Sequence, residues 1–342
     1  MRVKDVFFQS HLLFGLLLAL GAPAAAADFY AGKTITMLVG NDVGGGFDAY
    51  ARLFARHLPR VIPGQPTIVV QNMPGAGSSI ATAYVNRVAA KDGTVIGVVT
   101  PGAIAAPLFD EQTRRNYDPS KLIYLSSADS GSRVCAVYHA ANVKNVADAR
   151  LKKVIIGAAG AGSSSSDYAK LHRTTSGLNF EIVSGYKGTG DLLLAMERRE
   201  IDGICGVDWA SLTSQRPDWI RDKKLNFLFQ VGVKPHELLT GMGVPDVSTS
   251  TLSADDLAVV ELVTSQQVFA RPFIAAPEVP GDQIATLRAA FEALYRDPTF
   301  VADAEKSQLI LAPTSGAEVQ SSVEKMYKAS TKIVEKARAV LK

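Results

Sequence analysis

Cysteine is scarce in this sequence, since only Cys135 and Cys205 occur among its 342 residues. Two cysteines are too few for the disulfide scaffold of a small secreted domain. They can form one disulfide only if their Cα atoms lie within about 7 Å of each other, and we expect two separate buried thiols instead. The histidines are scattered without the Cys/His spacing of a zinc site, so we expect no metal site.

Strong net charge is absent as well. The formal charge is +3 and no block of lysine or arginine stands out, which argues against a nucleic-acid-binding protein. Beyond the N-terminal region, no stretch stays apolar over the about 20 residues that a membrane-spanning helix needs. We therefore expect no nucleic-acid partner and no stable membrane insertion of the mature chain.

The usual nucleotide and hydrolase motifs are also missing. Gly32-Lys33-Thr34 occurs, but Ala27 stands where the first glycine of a P-loop would fall, and the triplet precedes a predicted strand instead of following one, so a P-loop is excluded. After Gly160 and Gly162, Ser165 stands where the third glycine of a dinucleotide fingerprint would fall. Serines near helix starts lack the Gly-x-Ser-x-Gly elbow of a hydrolase, and only His236 is a plausible downstream base. We expect no cofactor and no enzymatic activity, and a secreted hydrolase is the less favoured alternative.

The N-terminal region has the pattern of a secretory signal peptide. Arg2 and Lys4 precede an apolar run, and small residues up to Ala27 offer a cleavage site. We expect residues 1–27 to be the signal peptide and the mature chain to be periplasmic. The remaining chain is long for a single core and indicates about two domains.

Strand and helix patterns alternate along the chain. Short Val/Ile-rich runs typical of buried strands are separated by helical patterns, as in "KTITMLVG", "PTIVVQN" and "TVIGVVT". The alternation restarts after Arg133 with "RVCAVYH" and "KVIIGAAG". Such strands are typical of parallel sheets that helices cover on both faces. The sequence therefore predicts two α/β units.

Four of the predicted strands run into Gly- or Ser-rich loops at which helices begin. These loops are "GNDVGGGFD", "NMPGAGSS", "GAAGAGSSSSD" and "GYKGTGD". In a doubly wound sheet, the loops after strand C-termini gather at one edge, where ligands bind. Helix N-termini there present unpaired N–H groups and the positive end of the helix dipole. The pattern predicts an anion-binding site.

Four longer stretches resemble one known family. They are "GGGFDAYARLFARHL", "VVQNMPGAGSSIATAYVNRVAAKDGTVIG", "GYKGTGDLLLAMERREIDG" and "RPFIAAPEVPGDQIATLRAAF". The chain is similar over essentially its whole mature length to the extracytoplasmic solute receptors of the tripartite tricarboxylate transporters, also called Bug proteins. The resemblance implies a two-lobed periplasmic binding protein fold, with a mainly parallel sheet flanked by helices in each lobe. It also implies that the protein captures a small carboxylate and delivers it to integral membrane permease subunits.

The resemblance further implies the domain boundaries. Lobe 1 would cover residues 28–130 and 271–342, and lobe 2 would cover residues 131–270. Two hinge crossovers, near residues 128–133 and 269–272, would allow the lobes to close over the ligand. We expect a monomer. The alternative function is a periplasmic ligand sensor that signals to a sensor kinase.

The same resemblance indicates which loops contact the ligand. The expected ligand-binding residues are Gly45, Gly46, Phe47, Asp48, Asn72, Gly75, Ala76, Gly77, Ser78, Thr100, Gly102, Ser163, Ser164, Tyr186, Lys187, Gly188, Thr189 and Asp208. Backbone N–H groups of glycines and side-chain hydroxyls would hold the carboxylate. We expect Asp48 mainly to cap the first helix and Asp42 to face solvent. For Arg271 an ion pair between the lobes is the favoured interpretation, and a ligand contact is the alternative.

Overall fold

The computed structural model describes residues 29–160, 163–186, 188–232, 235–247 and 252–342. The signal peptide expected over residues 1–27 lies outside the described residues. In chain order the strands are β1 (Thr34–Val39), β2 (Thr67–Asn72), β3 (Val95–Val98), β4 (Ile123–Ser127), β5 (Arg133–Tyr138), β6 (Val154–Ala158), β7 (Phe180–Ser184), β8 (Gly203–Asp208), β9 (Leu225–Val231), β10 (Pro272–Ala275) and β11 (Thr314–Ser315).

Helices separate most of these strands. In chain order they are α1 (Gly46–His57), α2 (Ser79–Arg87), α3 (Pro101–Phe109), α4 (Glu111–Asn116), α5 (Val146–Leu151), α6 (Ser164–Thr175), α7 (Thr189–Glu197), α8 (Trp209–Gln215), α9 (Pro217–Arg221), α10 (Glu237–Gly241), α11 (Ala254–Thr264), α12 (Gly281–Tyr295), α13 (Pro298–Lys306), α14 (Gly316–Tyr327) and α15 (Thr331–Leu341). None of the helices in the described ranges combines the length and the apolar character that crossing a membrane requires.

Two mixed sheets form the frame of the molecule. The first has the strand order β11-β4-β10-β3-β1-β2 and the second the order β7-β6-β8-β5-β9. Strand β1 pairs in parallel with β2 and β3, and β6 pairs in parallel with β7 and β8. Strand β10 enters the first sheet antiparallel to β3 and β4, and β5 enters the second antiparallel to β8 and β9. The predicted two-lobed α/β fold is confirmed.

The amphipathic pattern of α1 shows how the sequence builds one of these layers. Its buried residues include Tyr50, Leu53, Phe54 and His57, which recur at helical spacing. The ring of Phe54 packs against several aromatic rings from later in the chain, those of Phe273, Phe291, Tyr295 and Phe300. This apolar face holds α1 on the first sheet, so the loop before α1 is fixed at the sheet edge.

Two crossovers connect the sheets and lie side by side. The first links β4 to β5, and the second leads into β10. The Ala128 amide donates to the Arg271 carbonyl at 3.0 Å, and the Ala270 amide donates to the Asp129 carbonyl at 3.0 Å. The Ser127 hydroxyl is buried between the crossovers, where it donates to the Asp129 carbonyl (2.8 Å) and accepts from the Arg271 amide (3.1 Å). These bonds join the segments that we expect to act as the hinge.

The C-terminal helix α15 contacts both α/β units. Arg338 donates to the Leu108 carbonyl in α3, beside the first sheet, at 3.2 Å. Lys170 in α6, beside the second sheet, donates to the Leu341 carbonyl at 2.8 Å. Helix α15 also packs against α11. The lobe boundaries stay a prediction, and α15 lies across the expected division between the lobes.

The two cysteines form a disulfide. Cys135 in β5 and Cys205 in β8 are paired residues in the ladder between these strands, with Cα atoms 4.0 Å apart. Our expectation of separate thiols is therefore wrong. The sequence separation of 70 residues hid a pairing that only the strand order of the second sheet brings about.

Candidate ligand-binding site

A buried carboxylate organises the loop before α1. Asp48 is 2% exposed and accepts hydrogen bonds from the Gly44 amide (2.8 Å), Arg52 Nε (2.9 Å) and Asn72 Nδ2 (3.0 Å). The Arg52 bond is the largest of the effects that lower the pKa of Asp48 to about 2. The residue at the N-cap of α1 is Gly45, and no side chain caps it. Our expectation that Asp48 is the cap is wrong, because Asp48 lies in the first turn and reaches back to the loop.

The loop after β2 has an unusual backbone. Residues 75–78 all have positive φ, with values of 133° at Gly75, 45° at Ala76, 60° at Gly77 and 73° at Ser78. The φ of Gly75 lies where side chains are strained, so glycine is favoured there, and a Cβ would also lie 2.5 Å from Ile80 Cδ1. Positive φ costs non-glycine residues free energy and persists only where the surroundings enforce it.

The buried side chain of Ser78 is one of the groups that hold this loop in its unusual backbone conformation. It is 1% exposed, and its hydroxyl donates to the Gly40 carbonyl at 3.0 Å and accepts from the Thr100 amide at 3.2 Å. The Thr100 hydroxyl in turn donates to the Gly77 carbonyl at 2.7 Å. Ser78 therefore ties the ends of β1 and β3 together and holds the loop in place.

A cavity of about 600 Å³, which we call the main cleft, lies between the two α/β units. Its first-unit wall comes from the loops after β1, β2 and β3, and its second-unit wall comes from β5 and the start of α6. Lining residues include Phe47, Ala76, Gly77, Ser79, Thr100, Gly102, Arg133, Ser163, Ser164, Asp167, Tyr168, Gln266, Gln267 and Arg271.

A smaller cavity of about 310 Å³, which we call the annex, extends from the main cleft into the second unit. The two share four lining residues, Arg133, Ser163, Ser164 and Arg271. The annex is also lined by Gly188, Thr189, Leu192, Ile204, Asp208 and Ser211. A ligand in the main cleft can therefore extend one end into the annex.

Two arginines stand where these cavities join. Arg133 Nη1 donates to Ser164 Oγ (2.9 Å) and to the Gly206 carbonyl (2.8 Å). The Arg271 guanidinium lies over the ring of Phe47, 4.5 Å from the ring centroid, and its Nη1 donates to the Ala270 carbonyl at 2.8 Å. Within the described parts of the chain, neither arginine forms an ion pair. The expected interlobe ion pair of Arg271 is therefore wrong.

Two carboxylates lie close to these arginines. Asp208 caps α8, and its Oδ1 accepts from the amide (3.0 Å) and hydroxyl (3.1 Å) of Ser211. Asp129 is 5% exposed. Burial first, and then the charge of Asp208, raise the pKa of Asp129 to about 6, although Arg271 and Arg133 oppose that rise. The junction of the cavities thus holds charges of both signs.

The structure brings many of the predicted residues together. Phe47, Ala76, Gly77, Thr100, Gly102, Ser163 and Ser164 line the main cleft, and Gly188, Thr189 and Asp208 line the annex. The other described residues of the predicted set do not line either cavity, namely Gly45, Gly46, Asp48, Asn72, Gly75, Ser78 and Tyr186. Lys187 lies outside the described residues. Ligand contact stays a prediction for every residue of this set.

Sequence reasoning missed several side chains of the cleft. Ser79 lines it in place of the buried Ser78, and Tyr168, Gln266 and Gln267 line it as well. Arg133 was visible in the sequence only as the start of a strand. Its position directly after a predicted crossover was the available signal, because a side chain there can face the space between the lobes.

Among the residues that the structure describes, no group of three or more His, Cys, Asp or Glu side chains could hold a metal ion. The polar groups that line the two cavities are hydroxyls, guanidinium groups, amides and carboxylates. Such a set can bind an organic ion by hydrogen bonds.

The two sheets, joined by adjacent crossovers beside a cleft, define a two-lobed solute-binding fold. Solved structures share it at low identity. A TctC solute binding protein from Polaromonas, without ligand, aligns with TM-score 0.67 and 16% identity, covering 91% of this chain and 98% of that one. A Rhodopseudomonas palustris protein with adipate aligns with TM-score 0.61 and 19% identity, covering 89% and 97%. MatC from Rhodopseudomonas palustris with bound malate aligns with TM-score 0.59 and 19% identity, covering 91% and 99%.

Sequence comparison identifies the family. The model of the tripartite tricarboxylate transporter family receptor matches residues 51–337. A UPF0065 protein of Bordetella bronchiseptica is 28% identical over 204 residues, which are 57% of this chain and 60% of that protein, so the match spans less than two thirds of the relative's length. The chain belongs to the tripartite tricarboxylate transporter receptor family.

Proposed function

We propose that this protein is a periplasmic receptor that captures a small organic carboxylate between its two lobes and delivers it to a membrane permease. The observation that carries the proposal is the pair of arginines at the cleft. Arg133 and Arg271 reach the same cavity from the two crossovers, and neither forms an ion pair within the described residues. A guanidinium group binds a carboxylate with strong, directional hydrogen bonds.

The N-termini of two helices also favour binding of a carboxylate. Helix α3 begins beside Thr100 and Gly102, and α6 begins beside Ser163 and Ser164, all on the wall of the main cleft. The first N–H groups of a helix lack partners within the helix and carry the positive end of its dipole. They can replace the water that a carboxylate loses on entering the cleft, where an unpaired charge is costly.

The relatives support the same ligand class and role. Two solved structures of this fold contain adipate and malate, which are both carboxylates. The family is that of a transporter receptor, which supports a permease partner and a periplasmic location. Ligand-dependent closure is enough for such a role, so we propose that the protein does not alter its ligand chemically.

The proposal is tested by measuring ligand binding to the mature protein. Isothermal titration calorimetry and thermal unfolding are run against mono-, di- and tricarboxylates. A carboxylate present at 100 times its Kd should add about 2.7 kcal/mol to the unfolding free energy. The ligand recovered after incubation should be chemically unchanged, as mass spectrometry can show.

Variants of the two arginines locate the site. Arg133→Gln and Arg271→Gln should each weaken carboxylate binding by at least about tenfold, because each removes one charge-assisted contact. Arg221→Gln is the matched control, since Arg221 is exposed on α9, outside both cavities, and pairs with its neighbour Asp222. Binding of an uncharged solute alone, or equal affinities in all three variants, would show that the carboxylate site is wrong.

A further inference from the structure

The charges that the described arginines and carboxylates bring to the two cavities nearly cancel. Arg133 and Arg271 contribute two positive charges, and Asp129 and Asp208 lie close enough for their carboxyl groups to interact with each other and with the arginines. A ligand with two negative charges would therefore leave an excess of negative charge in a closed cleft, and buried unbalanced charge is unfavourable.

Asp208 has one carboxylate oxygen available. Its Oδ1 accepts both bonds from Ser211, whereas its Oδ2 accepts none from the residues that the structure describes. Oδ2 lies beside Gly131 in the first crossover, where a Cβ would come within 2.6 Å of it. Since residue 131 is glycine, no side chain of that residue covers this oxygen, and Asp129 Oδ2 lies 3.5 Å from the same Cβ position.

The annex around Asp208 suits a small polar cation. Its wall carries the side-chain hydroxyls of Ser163, Thr189 and Ser211, which can accept hydrogen bonds, and Leu192 and Ile204 supply an apolar side. The volume of about 310 Å³ accommodates an ammonium group with the last carbons of a short chain. Ser163 and Ser164 belong to both cavities, so one chain can pass from the main cleft into the annex.

We propose that the ligand is a short amino acid with its ammonium group at the chain end opposite the carboxylate. The carboxylate binds in the main cleft at the arginines and helix starts, and the ammonium group binds in the annex at Asp208. This inference rests on the proposed function and narrows its ligand class. A zwitterion leaves the charge balance of the closed cleft unchanged, which a dicarboxylate does not.

The test compares three ligands of equal chain length. Isothermal titration calorimetry measures the Kd of the ω-amino acid, the α,ω-dicarboxylate and the unsubstituted monocarboxylate, each with four, five and six carbons. For at least one length the ω-amino acid should bind at least tenfold more tightly than both others. A dicarboxylate that binds as tightly or more tightly at every length would overturn the inference and leave the carboxylate receptor intact. If none of the nine compounds binds, the inference fails, and the wider series of mono-, di- and tricarboxylates decides separately on the proposed receptor.

The Asp208→Asn variant removes the negative charge of residue 208 but keeps its capping role in the fold. Asparagine keeps the oxygen that caps α8 but removes the partner of the ammonium group, so the ω-amino acid should lose at least tenfold in affinity while the monocarboxylate should lose none. Asp110→Asn is the matched control, because Asp110 caps α4 and accepts from the amide and hydroxyl of Thr113 in the same way, outside both cavities. Equal losses for all three ligand types in Asp208→Asn would overturn the assignment.

Discussion

Asp129 is the residue whose titration should make carboxylate binding depend on pH. Its carboxyl group is buried beside the crossovers, with Asp208, Arg271, Arg133 and Tyr50 as its charged or titratable neighbours. Because its pKa is raised to about 6, it gains a negative charge as the pH rises from 5 to 7. That charge opposes a bound anion.

We expect the affinity for a carboxylate to fall by roughly three- to tenfold between pH 5 and pH 7, since an added charge nearby weakens anion binding. Asp129→Asn should remove this dependence, as titration calorimetry at several pH values can show. The stability of the fold should change with pH in the same direction as the carboxylate affinity. A carboxyl group with a raised pKa stabilises the fold at low pH, and this contribution is lost as the pH rises through about 6. An unchanged pH slope in Asp129→Asn would contradict the prediction.

Asp48 shows how far single residues could be predicted from the sequence. An acidic residue in the first turn of α1 was visible, and its solvent-exposed neighbour Asp42 was predicted to face outward, as it does. The link from Asp48 to Asn72, 24 residues away, depends on the packing of β1 against β2. No local sequence pattern predicts a contact over that separation. The position of the binding loop was therefore predicted, whereas the hydrogen bonds that hold the loop in place were not.

At the scale of elements, the strands that matched simple patterns were predicted well. Strands β1, β2, β3, β6 and β8 lie on Val/Ile-rich runs, and the helices after β1, β2, β6 and β7 begin at Gly- or Ser-rich loops. Strand β4, which reads "IYLSS", was missed because its second half is polar. Its Ser126 and Ser127 are buried and bond to neighbouring segments, which a hydrophobicity pattern does not reveal.

The disulfide between β5 and β8 should stabilise the second unit. Replacing both cysteines, as Cys135→Ser with Cys205→Ser, should lower the unfolding free energy by about 2–4 kcal/mol, because the bond closes a loop of 70 residues in the unfolded chain. Urea unfolding followed by circular dichroism measures the loss. Reduction of the native protein should give a similar change, whereas reductant should leave the double variant unaffected. Equal stabilities of native protein and variant would exclude a stabilising bond.

At the scale of the whole molecule, the paired crossovers should control closure. Ser127→Ala removes the hydroxyl that joins the Arg271 amide to the Asp129 carbonyl and should cost about 1–3 kcal/mol, since it leaves buried groups unpaired. Small-angle X-ray scattering should show the radius of gyration falling on ligand binding in the native protein, with a smaller or less complete fall in the variant.

Ser120→Ala is the control for this measurement. Ser120 also donates a side-chain hydrogen bond, to Asp118, but it lies away from the crossovers, so stability should change little and closure not at all. A full ligand-induced contraction in Ser127→Ala, equal to that of the control, would contradict a hinge role for the serine.

Helix α15 has a consequence for the geometry of motion. Two adjacent crossovers by themselves leave a pair of bodies free both to bend and to twist about the line that joins them. Arg338 fastens α15 to Leu108 in one body, and Lys170 fastens it to the other. A third attachment away from the crossovers opposes twisting more than bending. Bending should therefore be the main low-energy motion of the two bodies. The mouth of the cleft should then open and shut along a single reproducible path.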